Sequence, residues 1–234
     1  YGRMKGIDIR KAGSGNSGAT NSLRVLGKKA GLIVFIVDLC KCFIPCLIVK
    51  AWAVSNGQQN MEDIYMLYLA FGVILGHNYP CYLNFKGGKG ISSTSGFILA
   101  FDLRIAAVCL AAFSVIVGTT RYVSLGSLTV VSICFVMGVI FGVNGMLSVE
   151  PANMAEFIIL LALITIQAYI RHRANIKRLL NGTENKIGAK NTTTNAQSIK
   201  NITVLPTFFF VFGLVSLVLF LDTVACIIVL PPCF

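Results

Sequence analysis

Long apolar runs separated by short charged loops are the feature of this sequence that most constrains its fold. Nearly unbroken apolar stretches occupy residues 32–53, 64–83, 123–143, 157–170 and 204–230. A helix needs about 20 apolar residues to cross the hydrocarbon core of a bilayer. Because only 12% of the residues are charged, the sequence predicts an all-α integral membrane protein built as a multi-span helical bundle.

One further apolar stretch, residues 91–119, does not fit a single span. It is too long for one untilted helix, and Asp102 and Arg104 interrupt its middle. The loops before and after it are both basic, so the chain must return to the side of the membrane that it left. We therefore predict a short helical hairpin that turns within residues 101–104.

The sign of the charge alternates from loop to loop. Residues 1–31, 84–90 and 171–190 are basic, whereas residues 54–63 and 145–156 carry acidic side chains. Basic loops tend to stay in the cytoplasm, so we expect a multi-pass protein of the cell membrane with its basic loops facing the cytoplasm. This pattern also accounts for the net charge of +11, and no nucleic-acid partner is indicated.

Polar residues inside the apolar runs have structural interpretations. Most of the eight cysteines lie in apolar stretches and the chain has only two histidines, so we interpret the cysteines as core residues and expect no metal site. Asp38 and Lys41 lie three residues apart in a span, where they can pair on one helix face. Because this position lies away from the basic loops, we expect a buried structural pair.

Three polar, glycine-rich segments are predicted to meet at the cytoplasmic face. They read GSGNSGATNSLR, GHNYPCYLNFKGGKG and TTRYVSLGS, and the basic segment RHRANIKRLLNGTE joins them. In FKGGKG, glycines allow close backbone approach to an anion, and Lys86 and Lys89 supply charge before a helix start. The segment does not match a Walker A loop, so a phosphate cradle is favoured over nucleotide binding. A basic loop that only fixes topology is the alternative.

These four segments resemble the successive signatures of the bacterial acyl-phosphate:glycerol-3-phosphate acyltransferase family (PlsY), in the same order and spacing. The resemblance covers residues 1–186 and implies a seven-helix membrane protein with its active site at the cytoplasmic face. It also implies transfer of an acyl group from acyl phosphate to the 1-hydroxyl of sn-glycerol 3-phosphate, giving lysophosphatidic acid and phosphate. No cofactor is implied, membrane lipid is an expected partner, and coupling to an acyl-phosphate-forming enzyme is a further expectation.

The resemblance also implies roles for individual residues. The expected catalytic residues are Ser14, Arg24, Lys89 and His172. The expected substrate-binding residues are Asn16, Thr20, Asn21, His77, Lys86, Gly87, Gly88, Arg121, Ser124, Ser127 and Asn175. Neither histidine has an acidic residue five positions later, as a His-x4-Asp pair requires. We therefore expect no acyl-enzyme intermediate and a substrate phosphate that accepts the proton.

The chain departs from the family pattern at both ends. The sequence starts at Tyr1, and we expect a first spanning helix upstream of it. Residues 1–190 are interpreted as the acyltransferase membrane domain, residues 191–203 as a polar linker and residues 204–234 as an extra transmembrane segment. The main alternative function is an organic-phosphate membrane transporter, which should show related halves. A membrane phosphatase would need a histidine in a phosphatase signature, which neither histidine has.

Overall fold

The computed structural model describes residues 1–188, and this part of the chain is helical with no strand. The helices are α1 (Ala19–Leu26), α2 (Lys28–Ser55), α3 (Glu62–Asn78), α4 (Ile91–Phe101), α5 (Leu103–Thr120), α6 (Val123–Val143) and α7 (Met154–Leu180). The polar linker and the extra C-terminal span expected from the sequence lie outside the described residues.

Four helical segments are long and apolar enough to cross a bilayer: Lys28–Ser55, Leu103–Thr120, Val123–Val143 and Pro151–Leu180. Together with the helical bundle they confirm the predicted class of an all-α membrane protein.

The predicted span over residues 64–83 is too long, because α3 ends at Asn78. Tyr79 leaves the helical region with φ −132° and ψ 54°, and it precedes Pro80, whose ring disfavours helical geometry in the residue before it. The chain therefore enters a loop five residues earlier than hydropathy alone indicates. That loop, residues 79–90, carries the basic glycine-rich segment to the start of α4.

The predicted hairpin is confirmed, and its turn is the single residue Asp102 between α4 and α5. Asp102 is extended, with φ −153° and ψ 124°, and its carboxylate accepts hydrogen bonds from the amides of Arg104 and Ile105. This is an N-cap that starts α5. Arg104 also donates to the carbonyl oxygen of Met146 (3.1 Å). The hairpin turn therefore lies beside the loop between α6 and α7.

The acidic loops meet at one end of the bundle, which we call the far end. The Ser148 amide donates to Asp63 (2.7 Å), and Asn60 donates to Glu150 (3.1 Å). The α2–α3 loop and the start of α3 therefore both contact the loop between α6 and α7. The sequence-based grouping of the acidic loops is therefore confirmed.

The basic loops meet at the opposite end, which we call the site end. Arg171, near the end of α7, donates to the carbonyl oxygen of Gly87 (3.0 Å). The backbone of Ile187 pairs with that of Arg121 in the α5–α6 connection (2.9 Å). The motif segments thus come together at one end of the bundle, as predicted.

Helix α2 packs against α1, α3 and α4, and α6 packs between α5 and α7. The α2–α4 contact is close, because a Cβ added at Gly96 would lie 2.2 Å from the Leu39 carbonyl oxygen. Leu67, Phe97 and Phe157 are fully buried in the core between α3, α4 and α7. This close packing holds α4, and therefore the loop before it, in a fixed position.

Candidate active site

A cavity of about 660 Å³, which we call the main cavity, opens at the site end and is lined by residues from most of the helices. One part of its wall is polar and charged, and another is apolar. The sequence-predicted residues that line it are Ser14, Asn16, Thr20, Asn21, Arg24, His77, Lys89, Ser124, Ser127, His172 and Asn175.

The remaining sequence-predicted residues lie elsewhere. Lys86 and Gly87 line a smaller neighbouring cavity, and Gly88 and Arg121 line neither of the two cavities. The Arg121 guanidinium instead donates twice to the carbonyl oxygen of Ile187 (3.0 and 2.8 Å). The structure therefore gives Arg121 a role in holding the segment that follows α7, away from the main cavity.

Three helices begin at the wall of the main cavity. Helices α1, α4 and α6 start after Gly18, Gly90 and Tyr122, and none of these residues makes a side-chain cap. The residues that open each helix line the cavity. Uncapped helix N-termini present free amide donors and partial positive charge, which favours anions. The buried hydroxyl of Ser124 also lacks a hydrogen-bond partner within residues 1–188.

The glycine-rich segment before α1 is a folded loop organised by Asn21. The buried Asn21 amide nitrogen lies 2.8–3.1 Å from the carbonyl oxygens of Ile9, Ala12 and Asn16, and its oxygen accepts from the Ser14 amide (2.8 Å). Asn21 therefore shapes the loop instead of offering free donors to a ligand. This loop is a fixed wall, not a linker.

Gly87 and Gly88 are required for close packing. Their amides donate to the carbonyl oxygens of Asn78 and His77 (both 3.2 Å), so these amides are not free to cradle an anion as the sequence suggested. A Cβ at Gly87 would lie 2.1 Å from the His77 carbonyl oxygen, and one at Gly88 would lie 1.9 Å from His77 Nε2. The glycine pair thus presses the loop against the end of α3 and places Lys89 at the cavity.

Lys89 is held in an electropositive setting. Its ammonium donates to the side-chain oxygen of Asn175. The pKa of Lys89 is lowered to about 8, mainly by burial; the nearby Glu184 carboxylate raises it, and Arg178, Arg171 and Arg24 lower it. A charged group whose pKa is displaced in this way gains most from an anionic ligand.

Glu184 comes from the segment after α7 and closes one side of the main cavity. Its carboxylate accepts hydrogen bonds from Asn175 and from Arg178 (both 2.9 Å). These contacts fix the orientation of the Asn175 amide, which leaves its oxygen for Lys89. Glu184 is therefore a positioning residue at the cavity wall.

His172 is buried and held as one tautomer. Its Nδ1 lies 2.8 Å from the carbonyl oxygen of Ala168. A carbonyl oxygen can only accept, so Nδ1 carries the proton and Nε2 is left as an acceptor. Because His172 lines the main cavity, this nitrogen can accept a hydrogen bond from a hydroxyl group.

Asp38 and Lys41 form the expected ion pair (2.8 Å). The pair is only partly buried, and the expectation that it lies away from the basic loops is wrong. Lys41 also contacts Nδ1 of His77, which lies 3.5 Å from Asp38 Oδ1. The His77 ring packs against Gly88 of the glycine-rich loop. Asp38 and His77 both line the main cavity, so the pair supports the site.

The apolar wall of the main cavity follows one face of each of three helices. It consists of Phe35 and Leu39 of α2, Ile98 and Leu99 of α4, and Leu103, Ala106, Ala107, Leu110 and Phe113 of α5. On α5 these positions recur at helical spacing, which puts them on one stripe. The cavity is therefore amphipathic, with helix N-termini and cations at one part and a hydrocarbon-like groove at another.

Sequence reasoning missed Asp38, Arg171 and Glu184 as parts of the site. A carboxylate inside an apolar span was the available signal for Asp38, and Glu184 ends the RHRANIKRLLNGTE segment. Within residues 1–188, no cluster of three histidine, cysteine or carboxylate side chains could hold a metal ion.

Comparison with known proteins identifies the family. The family model described as glycerol-3-phosphate acyltransferase matches residues 1–182. The chain belongs to the glycerol-3-phosphate acyltransferase family. A family member from Clostridioides difficile is 43% identical over 188 residues, which cover 80% of this chain and 86% of that protein. One from Thermotoga petrophila is 39% identical over 184 residues, covering 79% and 85%.

Crystal structures of this acyltransferase family have the same fold. The glycerol 3-phosphate form of PlsY, an integral membrane glycerol 3-phosphate acyltransferase, aligns with a TM-score of 0.66 at 36% identity. Its lysophosphatidic acid form aligns with a TM-score of 0.64. Each alignment covers 80% of this chain and 85% of the other.

Proposed function

We propose that this protein transfers an acyl group from an acyl phosphate to the 1-hydroxyl of sn-glycerol 3-phosphate. The observation that carries the proposal is the amphipathic main cavity, in which an anion-binding region continues into an apolar groove. An acyl phosphate has this same division into a phosphate and a hydrocarbon chain. Membership of the acyltransferase family favours this activity over organic-phosphate transport.

The polar region suits the phosphate groups. Arg24 and Lys89 line it together with the starts of α1, α4 and α6. Fixed donors aimed at a leaving phosphate stabilise the negative charge that develops as the bond between the acyl carbon and the phosphate oxygen breaks. The acyl chain then extends along α5 in the apolar groove, where burial removes hydrocarbon from water.

The acceptor hydroxyl is oriented by His172 and Asn175, which lie one helical turn apart on α7. His172 Nε2 accepts the hydrogen bond of the neighbouring 2-hydroxyl, which directs the 1-hydroxyl oxygen at the acyl carbonyl carbon and leaves the 1-hydroxyl proton for a phosphate oxygen. The bond between the 1-hydroxyl oxygen and the acyl carbonyl carbon forms, and the bond between that carbon and the phosphate oxygen breaks. A phosphate oxygen takes the hydroxyl proton. Acyl phosphate already has a good leaving group, so alignment supplies much of the catalysis and no acyl-enzyme is needed.

The basic site end is proposed to face the cytoplasm of the cell membrane. Arg24, Lys28, Lys29 and Arg171 lie at this end, whereas Glu62 and Asp63 begin α3 at the far end. Positive loops are retained in the cytoplasm, where glycerol 3-phosphate and an acyl-phosphate-forming enzyme would be available.

Neutralising Arg24 tests the proposed phosphate contact. Arg24→Gln should lower kcat/KM for acyl transfer by about 10²–10³-fold, the effect of losing one charge-stabilising donor in a desolvated site. The protein should still insert in the membrane. Arg173→Gln is the matched control, since Arg173 is exposed on α7 and lines neither cavity. Equal activity of the two variants would contradict the assignment.

A further inference from the structure

A second cavity, of about 360 Å³, lies beside the main cavity at the site end, and we call it the antechamber. Its charged lining consists of Arg10, Lys86, Lys89, Arg171 and Arg178. Both cavities are also lined by Ser14, Asn16, Lys89, Asn175 and Arg178, and we call these shared residues the partition. The antechamber therefore adjoins the reaction site along the partition.

The charge in the antechamber is all of one sign. Five cationic side chains line it and no carboxylate does. Asp8 pairs with Arg10 (2.9 Å) and Glu184 with Arg178 (2.9 Å), but these two carboxylates lie outside the lining.

Two of the other antechamber cations, Arg171 and Lys86, are not paired with a carboxylate within residues 1–188. The Arg171 guanidinium donates to the carbonyl oxygens of Gly87 and Gly88, which are neutral acceptors. Lys86 forms no ion pair with the residues that the structure describes. Several unpaired positive charges in a recess raise the local concentration of anions.

Lys89 belongs to the partition and is therefore in reach of a ligand in either cavity. Burial is the largest cause that lowers the pKa of its ammonium, Glu184 raises that pKa, and Arg178, Arg171 and Arg24 lower it. A phosphate dianion in the antechamber would offset the repulsion between Lys89 and these arginines. The partition would thus hold Lys89 between two anions, one in each cavity.

We propose that the antechamber is an anion site of its own for a small phosphate-bearing molecule that moves between water and the main cavity. The proposal rests on the proposed function, in which two phosphorylated substrates are present together and one phosphate is released. The ligand is glycerol 3-phosphate on its way in or inorganic phosphate on its way out. Both present the same phosphate oxygens to Lys86 and Arg171.

Equilibrium binding of inorganic phosphate to the full-length protein in nanodiscs tests the site without any turnover. A non-transferable acyl phosphonate occupies the acyl-phosphate part of the main cavity, and two equivalents of phosphate should then bind, one at the glycerol 3-phosphate position and one in the antechamber. Lys86→Gln should weaken the binding in the antechamber about tenfold, as expected when one charge-assisted contact is lost. Lys177→Gln removes the same charge from an exposed position of α7 that lines neither cavity, and it should leave binding unchanged.

Kinetic measurements separate the two sources of the ligand. If glycerol 3-phosphate enters through the antechamber, Lys86→Gln raises its KM and flattens the dependence of kcat/KM on salt. If phosphate leaves through it, the constant for product inhibition by phosphate rises instead. Binding of no more than one equivalent of phosphate in the presence of the phosphonate, or equal behaviour of the two lysine variants, would overturn the proposal. Because binding is measured without turnover, an inactive protein that still binds phosphate would refute only the acyltransferase function.

Discussion

Raising the pH should weaken substrate binding through Lys89, because this lysine loses its proton near the physiological range. Burial and three nearby arginines lower the pKa of Lys89 from 10.5 to about 8. One pKa unit corresponds to about 1.4 kcal/mol, so a bound phosphate that restores the ordinary pKa of Lys89 would gain about 3 kcal/mol of binding free energy.

The sign of the effect follows from linkage. Above about pH 8 the empty site has lost the Lys89 proton, whereas the phosphate-bound site, with its higher pKa, keeps it. Binding must then take up a proton, so kcat/KM should fall by about tenfold for each pH unit above about 8. Substrate phosphates, with a second pKa of about 6, remain dianionic throughout this range and add no slope.

The assay is kcat/KM for glycerol 3-phosphate against pH in nanodiscs, for the wild type and Lys89→Arg. A guanidinium stays charged up to about pH 12, so Lys89→Arg should lose the alkaline limb even if its rate is lower. Lys177→Arg is the control, because Lys177 is exposed and lines neither cavity, and it should keep the limb. An alkaline limb that survives in Lys89→Arg would refute the assignment to Lys89.

Two further predictions concern the groove and the topology. Ala107→Phe should fill the groove and lower the rate with palmitoyl phosphate by tenfold or more relative to the rate with octanoyl phosphate. Ala111→Phe is the control, because Ala111 does not line the main cavity, and it should leave the ratio of the two rates unchanged. A similar ratio in both variants would mean that the acyl chain binds outside the groove. The second prediction concerns Asn60 and Asn185, which are exposed at opposite ends of the bundle. In sealed vesicles, cysteines introduced at these two positions should react with a membrane-impermeant reagent from opposite sides of the membrane. Labelling of both cysteines from the same side would contradict the topology.

The sequence was sufficient to predict the membrane class, the hairpin and the convergence of the motifs. These features depend on local properties: hydropathy over a span, and charges such as Asp102 and Arg104 that interrupt an apolar run. The sign of the loop charges then required both ends of the hairpin to lie on one side. Each inference needed only the order of residues along the chain.

The roles inside the site depend on contacts between helices, which spacing along the chain does not reveal. His77 has no acidic residue five positions later, yet Asp38 of α2 lies 3.5 Å from its Nδ1. The glycine pair looked like an anion cradle, but its amides donate to the end of α3. Asn21 looked like a ligand donor, but it is occupied by its own loop.

The choice of acyl donor tests the proposed function most directly. Purified protein in nanodiscs is supplied with glycerol 3-phosphate and either palmitoyl phosphate or palmitoyl-CoA, and lysophosphatidic acid and inorganic phosphate are both measured. The proposed transfer from acyl phosphate predicts lysophosphatidic acid from palmitoyl phosphate, one phosphate released per product and no product from palmitoyl-CoA. Product from palmitoyl-CoA alone, or none from palmitoyl phosphate, would contradict the account.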